Sequence, residues 1–167
     1  MIKKFLFIAL VAFPVIAFAQ ETQKIAYVNH MDVVTSMSEY KAMQDSLKKA
    51  ESEYQAELKI LSDEYTKKLS DYVAKQDSLN ESIKQRRQGE LQDLQQRAQT
   101  FQETAAQKQD ELQQRLSQPI LDKLQKAIND VGKENNFLYI VNSQAFLYVS
   151  PTATDATPLV KKKLGIQ

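Results

Sequence analysis

Few residues in this chain could do covalent or proton-transfer chemistry, and they are scattered. Of 167 residues one is a histidine, His30, and none is a cysteine. A single imidazole with no clustered partner does not make a metal site. Without thiols there is no thiol catalysis, no thiolate metal centre and no disulfide to staple the fold. No Gly-rich phosphate loop appears, and no nucleophile sits in a recognisable motif. Carboxylates are numerous, 21 Asp+Glu, but they intersperse with 22 Lys+Arg along polar, helix-prone stretches, as solvent-facing i,i+4 pairs do. The sequence therefore predicts no catalytic residue, no metal and no cofactor, and a protein that works through shape and contact.

The N-terminus reads as an export signal. Lys3 and Lys4 precede an apolar run from Phe5 to Phe18 that only Pro14 interrupts, and Ala17-Phe18-Ala19 supplies a small-x-small cleavage pattern. The run is shorter than the ~20 residues of a spanning helix. Cleavage is expected after Ala19, leaving Gln20 first. Removing Lys3 and Lys4 changes 22 basic against 21 acidic residues to 20 against 21, a net charge of −1. A near-neutral exported chain is a poor general nucleic-acid binder, which usually carries a basic excess. The composition is not that of a packed globule either. The three glycines are Gly89, Gly132 and Gly165, tryptophan is absent, and Gln, Glu, Lys and Leu fill the middle, a bias of long helices.

That middle, residues 39–118, contains Gly89 and no proline. An apolar stripe runs Tyr40, Met43, Leu47, Ala50, Tyr54, Leu58, Leu61, Tyr65, Leu69, Tyr72, Gln76, Leu79, Ile83. From Leu47 to Leu69 its steps follow an eleven-residue repeat, and from Leu69 to Ile83 a heptad. It resumes at Leu91, Leu94, Ala98, Phe101, Ala105, Lys108 and Leu112. So narrow a stripe must meet another helix. Ser78-Leu79-Asn80-Glu81 has the form of a capping box, which predicts a hairpin with its tip near 76–80. Arms of 38 and 40 residues then run ~57 and ~60 Å. The rival tip lies at 84–90, around Gly89, where the stripe lapses.

The ends read as a small α+β body, residues 20–38 and 119–167. Lys24 to Asn29 is β-prone, and Asp32 or Ser36 could cap a short helix near Val33 to Met37. Pro119 is expected to bend the chain and open a new helix whose face carries Ile120, Leu121, Leu124, Ile128 and Val131. Phe137–Val141 and Ala145–Val149 read as two strands of a hairpin turned at Asn142-Ser143-Gln144. Thr157-Pro158 starts a last helix that Gly165 closes. The expected fold class is α+β, mostly helical: a long antiparallel coiled-coil hairpin projecting from a small β body. Such a body is too small to stand alone, so it is expected to oligomerise. Candidates for that contact are Ile25, Tyr27, Val28, Phe137, Tyr139, Val141, Phe146 and Tyr148.

The order of signal, Lys24-Ile25-Ala26-Tyr27-Val28-Asn29 strand, polar coiled coil with Ala98-Gln99-Thr100-Phe101-Gln102, closing strands and a tail from Asp155 to Leu164 resembles the Skp/OmpH family over nearly all of the chain after the signal. The resemblance implies a jellyfish-shaped homotrimer. It also implies a periplasmic, ATP-independent holding chaperone, which keeps unfolded outer-membrane β-barrel proteins in a cavity between the arms before membrane insertion. Better-known members are strongly basic, unlike this chain. On this reading Tyr54, Tyr65, Tyr72, Leu79 and Phe101 are candidates for client contact, although the tyrosines stand at stripe spacing and equally suit seam packing. Lys75, Lys84, Arg86 and Arg87 flank the tip and could meet acidic lipid, lipopolysaccharide or acidic client segments, or be a solvated helix end. Lys161, Lys162 and Lys163 suit the C-terminal end of a helix dipole. The alternative function is a structural coiled-coil spacer or tether in the cell envelope.

Overall fold

The computed structural model describes residues 24–166; the expected signal segment and its cleavage point lie outside the described residues. The elements are β1 (Lys24–Val28), α1 (His30–Ser36), α2 (Ser38–Lys75), α3 (Glu81–Glu134), β2 (Phe137–Asn142), β3 (Thr154–Asp155) and α4 (Thr157–Lys163). Two long helices dominate, and both chain ends return to one small sheet.

α2 and α3 run antiparallel. Lys68 meets Glu90 at 3.1 Å, the Tyr65 hydroxyl accepts from Gln95 Nε2 at 3.0 Å, and Lys123 pairs with Glu39. The chain reverses through a 3₁₀ turn, Gln76–Ser78, followed by Leu79 and Asn80. The cap is Asn80 rather than Ser78: its side chain takes the Ile83 N–H at 2.9 Å. Ser78 instead donates to the Lys75 carbonyl at 2.8 Å, at the end of α2. Gly89 lies mid-helix with open space around it. The lapse in apolar residues near it is therefore a stretch of seam held by long side chains, with Lys84, Arg87 and Glu90 half-buried.

The seam departs from the expected repeat. After Tyr65 the half-buried positions are Lys68 and Tyr72, while Leu69 is exposed; on α3, Gln109 and not Lys108 is half-buried. One helix against one partner needs a steady stripe of about 3.5 residues per turn. Lys68 takes the place by laying its stem along the seam and ending on Glu90.

Pro119 does not end the helix. α3 runs through it unbroken, 54 residues in all from Glu81 to Glu134. A helix-interior proline costs ~3 kcal/mol or more. That is offset because Ile120, Leu124, Ala127 and Val131, directly beyond it, are all buried against the body. These residues join Ala26, Val28, Val33, Val34, Met37, Met43, Ala156 and Val160 in one core.

The sheet is three-stranded and parallel throughout, ordered β2-β1-β3. The expected antiparallel hairpin of Phe137–Val141 and Ala145–Val149 is not formed. β2 pairs with β1, more than a hundred residues earlier, and Ala145–Val149 joins no ladder. A tight hairpin turn needs positive φ, and among the described non-glycine residues only Asn136 has it (φ 53). At the supposed turn, Asn142 Oδ1 instead accepts the Gln144 N–H at 3.2 Å and starts a 3₁₀ turn, Ser143–Ala145. The first short helix is also capped differently. Asn29 accepts the Asp32 N–H at 3.0 Å, so α1 begins at His30, upstream of both expected caps.

α4 ties the two chain ends together. Thr157 Oγ1 accepts the Asn29 N–H at 2.9 Å, and the Ala156 N–H donates to the Tyr27 carbonyl at 2.8 Å. Its end is a Schellman closure, with Ile166 N–H on Lys161 O at 2.9 Å and Gly165 N–H on Lys162 O at 3.1 Å. Gly165 supplies the φ of +74 that this turn requires. Lys161 and Lys163 do more than complement a helix dipole, since they pair with Asp32 of α1 and Glu134 of α3.

Candidate functional site

Two surfaces carry the candidate residues: the outer face of the sheet and the arm. Strand alternation divides β1. Ala26 and Val28 point into the core at 2% exposure, while Ile25, on the other face, is 55% exposed. The parallel register sets Tyr139 beside Ile25 and Val141 beside Tyr27. The outer face is thus built from Ile25, Tyr27, Tyr139 and Val141. Over it runs the segment after β2, and Ile25, Tyr27, Val141, Phe146 and Tyr148 line a shallow hollow of about 180 Å³. The segment covers little of the face. Phe146, Leu147 and Tyr148 are themselves exposed, as is Tyr139. Of the eight expected contact residues, six share this face. The other two belong to the inside: Val28 is core and Phe137 packs against it. Leu147 went unnoticed in the sequence because a strand reading gives every second residue to the opposite face.

On the arm, the aromatic candidates are seam residues. The Tyr54 and Phe101 rings meet edge to face with centroids 6.1 Å apart. Tyr65 and Tyr72 accept hydrogen bonds from Gln95 and from Gln88 across the seam, the second at 2.9 Å. All four rings are half-buried, and so is Leu79 in the terminal turn. The apolar side chains that the arm does offer to solvent are Ile60, Leu69 and Val73. Ile60 and Val73 fall off the stripe, which is why a search along the stripe passes them by.

The basic candidates gather at the arm's free end. Lys75 closes α2, while Lys84, Arg86 and Arg87 lie in the first turns of α3. Lys75, in the last turn of α2, complements that helix's dipole, whereas the three α3 cations lie beyond the first turn of their helix. Arg86 reaches Glu90 at 3.8 Å. The Lys68 ammonium, helped by Arg87 and Arg86, holds the Glu90 carboxyl below the usual carboxylate range. At the opposite end of the arm, the hydrogen bond from Lys123 lowers Glu39 in the same way. Near the end of α3, Lys126 lowers Asp130, and Glu134 raises Lys163.

His30 is the first residue of α1 and is half-buried. Among the described residues no group of three or more His, Cys, Asp or Glu is placed to hold a metal. No described helix is long and apolar enough to cross a membrane.

The comparisons agree with this architecture. The crystal structure of a protein from Caulobacter crescentus, described provisionally as an outer membrane chaperone (OmpH-like), superposes with a TM-score of 0.75. The match covers 84% of this chain and 82% of that one at 17% identity, a likeness of fold. No curated protein matches the sequence. The family described as outer membrane protein (OmpH-like) matches residues 24–164, the whole span from β1 to the end of α4. The chain belongs to the OmpH-like family.

Proposed function

We propose that this protein is a periplasmic holding chaperone that binds unfolded outer-membrane β-barrel proteins without ATP and keeps them from aggregating before insertion. The observation that carries the reading is the apolar outer face of the sheet. Ile25, Tyr139, Phe146 and Tyr148 are too large and too exposed to be left in water on so small a body. Copies of the chain cover this face by packing against one another, as a homotrimer. Their arms then project from a common base and enclose a space. Membership of the OmpH-like family and the fold of a neighbour described as an outer membrane chaperone support it.

Within that space the client meets many weak contacts rather than a shaped pocket. Ile60, Leu69 and Val73 supply apolar area, and the rims of the seam rings Tyr54, Tyr65, Tyr72 and Phe101, with Leu79 at the tip, add to it. Adaptable contacts of this kind suit a protein that must hold many sequences. Lys75, Lys84, Arg86 and Arg87 give the free end local positive charge for acidic lipid headgroups or lipopolysaccharide. The mechanism uses no catalytic residue, no cofactor and no nucleic acid. Export follows from a signal cleaved after Ala19.

The test is light scattering of residues 20–167, with a urea-denatured outer-membrane β-barrel protein diluted into the mixture. A trimer that suppresses aggregation at stoichiometric ratio supports the proposal. A monomer or dimer that leaves the client to aggregate overturns it and favours a spacer. The double variant Phe146→Ser, Tyr148→Ser is expected to shift the oligomer toward monomer and to lose protection of the client while keeping its helical circular dichroism.

A further inference from the structure

Where the arm meets the body, α2 and α3 leave a hollow of about 350 Å³ between them. Its apolar walls are Ala42 and Met43 of α2 and Leu116, Pro119 and Ile120 of α3. Met43 and Ile120 are buried and Leu116 half-buried, so the floor is apolar, while Ala42 and Pro119 stand exposed at the rim. Three charged residues border it: Glu39, Lys123 and Arg115. Glu39 and Lys123 pair with each other across the two helices. Arg115 is the one charged group of this lining that pairs with no carboxylate among the described residues. Glu111, one turn earlier on α3, instead takes the Gln107 amide at 3.1 Å. A guanidinium left over in this way can grip a carboxylate through two parallel hydrogen bonds.

Arg115 offers a second group. In an unbroken helix its carbonyl would accept the N–H of residue 119, but residue 119 is a proline. The carbonyl is left without its helical donor and is open to water or to another N–H. The hollow therefore combines an apolar floor, one unpaired cation and one backbone acceptor. A fatty acid would satisfy the first two and not the third, since it has no N–H to donate. The end of a polypeptide satisfies all three with an apolar side chain, a free carboxylate and a backbone N–H. Strands of outer-membrane barrels alternate lipid-facing apolar side chains with polar ones and carry aromatic girdles at the membrane surfaces. A barrel chain whose last strand stops at a girdle ends in a large apolar residue that bears a carboxylate.

We propose that this hollow seats the C-terminal residue of an unfolded β-barrel client, with its side chain on Met43, Leu116 and Ile120, its carboxylate on the Arg115 guanidinium, and a backbone N–H of the same segment on the Arg115 carbonyl. The proposal deepens the chaperone reading and rests on it for the identity of the client. The length of the client still meets the weak contacts along the arm, and only its end meets a defined hollow.

The probes are acetyl-Ala-Tyr-Gln-Phe with a free carboxylate, the same tetrapeptide amidated at its C-terminus, and decanoate. Each is titrated into residues 20–167 carrying labelled methionine methyl groups, read by nuclear magnetic resonance. Met43 reports on the hollow, and Met31 and Met37 are the references. The free acid is expected to shift Met43 and to bind about fivefold tighter than the amide, because only the acid can take the Arg115 fork. Arg115→Gln should remove that fivefold difference. Ala42→Phe, which fills the hollow from its exposed rim, should abolish the shift while the helical circular dichroism is kept. Pro119→Ala should weaken the peptide by about twofold and leave decanoate unchanged, because it gives the Arg115 carbonyl its helical donor. The proposal is overturned if acid and amide bind alike, if neither moves Met43, or if Ala42→Phe binds as the parent does. Decanoate binding as tightly as the acid would make this a lipid site and would overturn it too. Aggregation of a urea-denatured β-barrel protein is followed in parallel. If the parent chain suppresses it and the tetrapeptide does not bind, this site falls and the chaperone reading stands. If the tetrapeptide binds as expected and the client still aggregates, the chaperone reading falls and the hollow stands as a chain-end site.

Discussion

The body and the arm of this chain are held together on different terms. In the body, side chains from five elements converge, and Val33, Leu124 and Val160 are sealed from solvent. In the arm, two helices share a seam one residue wide. There only Leu61, Leu91, Leu94 and Ala105 reach burial, while the tyrosines, Lys68 and Glu90 stay half open. The same type of side chain therefore carries different weight in the two regions. A body residue supports every element around it, whereas a seam residue supports only its own turn and the facing one. The arm gives up depth for reach, and it stays ordered through a long succession of small contacts.

The largest expected effect is on the body. Leu124→Ala removes a fully buried side chain from the core to which β1 and α4 both contribute, and should cost about 3–5 kcal/mol. Urea denaturation monitored by circular dichroism should show the whole chain losing stability. If only a minor part of the helical signal were affected, the body would not be the keystone that its burial implies. Thr157→Val tests the tie between the ends at smaller scale. It keeps the shape but leaves the Asn29 N–H without its acceptor, which should cost about 1–3 kcal/mol.

The smallest effect is on the arm, and it depends on pH. The folded Glu90 carboxyl is held below its ordinary range by Lys68. A depressed carboxylate contributes stability at pH above its unfolded value and loses it as pH falls through the folded value. Glu90→Gln should therefore melt slightly below the parent chain near neutral pH, and the two melting curves should merge as the medium becomes acidic enough to protonate Glu90. A difference that persists in acid would mean that Glu90 acts through packing rather than charge.

The contrast also explains what could be read from the sequence. The arm's two helices, their antiparallel return and the turn at 76–80 are written in local pattern: a stripe, a short polar break, and no proline. What escaped there was chemical detail. Lys68 displaces Leu69 because a long charged side chain can lie along a seam and end on a partner, which a hydrophobic count does not register. The body is a different case. Phe137–Val141 announces itself as a strand by composition, but its partner is β1, over a hundred residues away, and nothing local distinguishes that pairing from a hairpin with the apolar run just after it. Phe146-Leu147-Tyr148 has the composition of a strand and forms none in the single chain. Ile25 and Tyr27 of β1 and Tyr139 and Val141 of β2 share the outer face because side chains alternate along a strand. Val28 and Phe137 were grouped with them by strand composition, which does not say which face a residue takes; Val28 alternates with Tyr27 and so points into the core.

The parallel pairing of β1 with β2 has a consequence in time. The first strand of the described chain cannot find its neighbour until nearly all the rest has been delivered, since 108 residues separate Val28 from Phe137. Contacts of such sequence separation are slow to close. The two arm helices, by contrast, can zip from their turn downward with only near neighbours in play. Each step of that zipping carries residues 38 and 123 closer together, so the arm doubles as the guide that delivers the two ends to each other. A chain delivered from its N-terminus would therefore leave its sheet unfinished, and would complete its body only after the last helix had emerged.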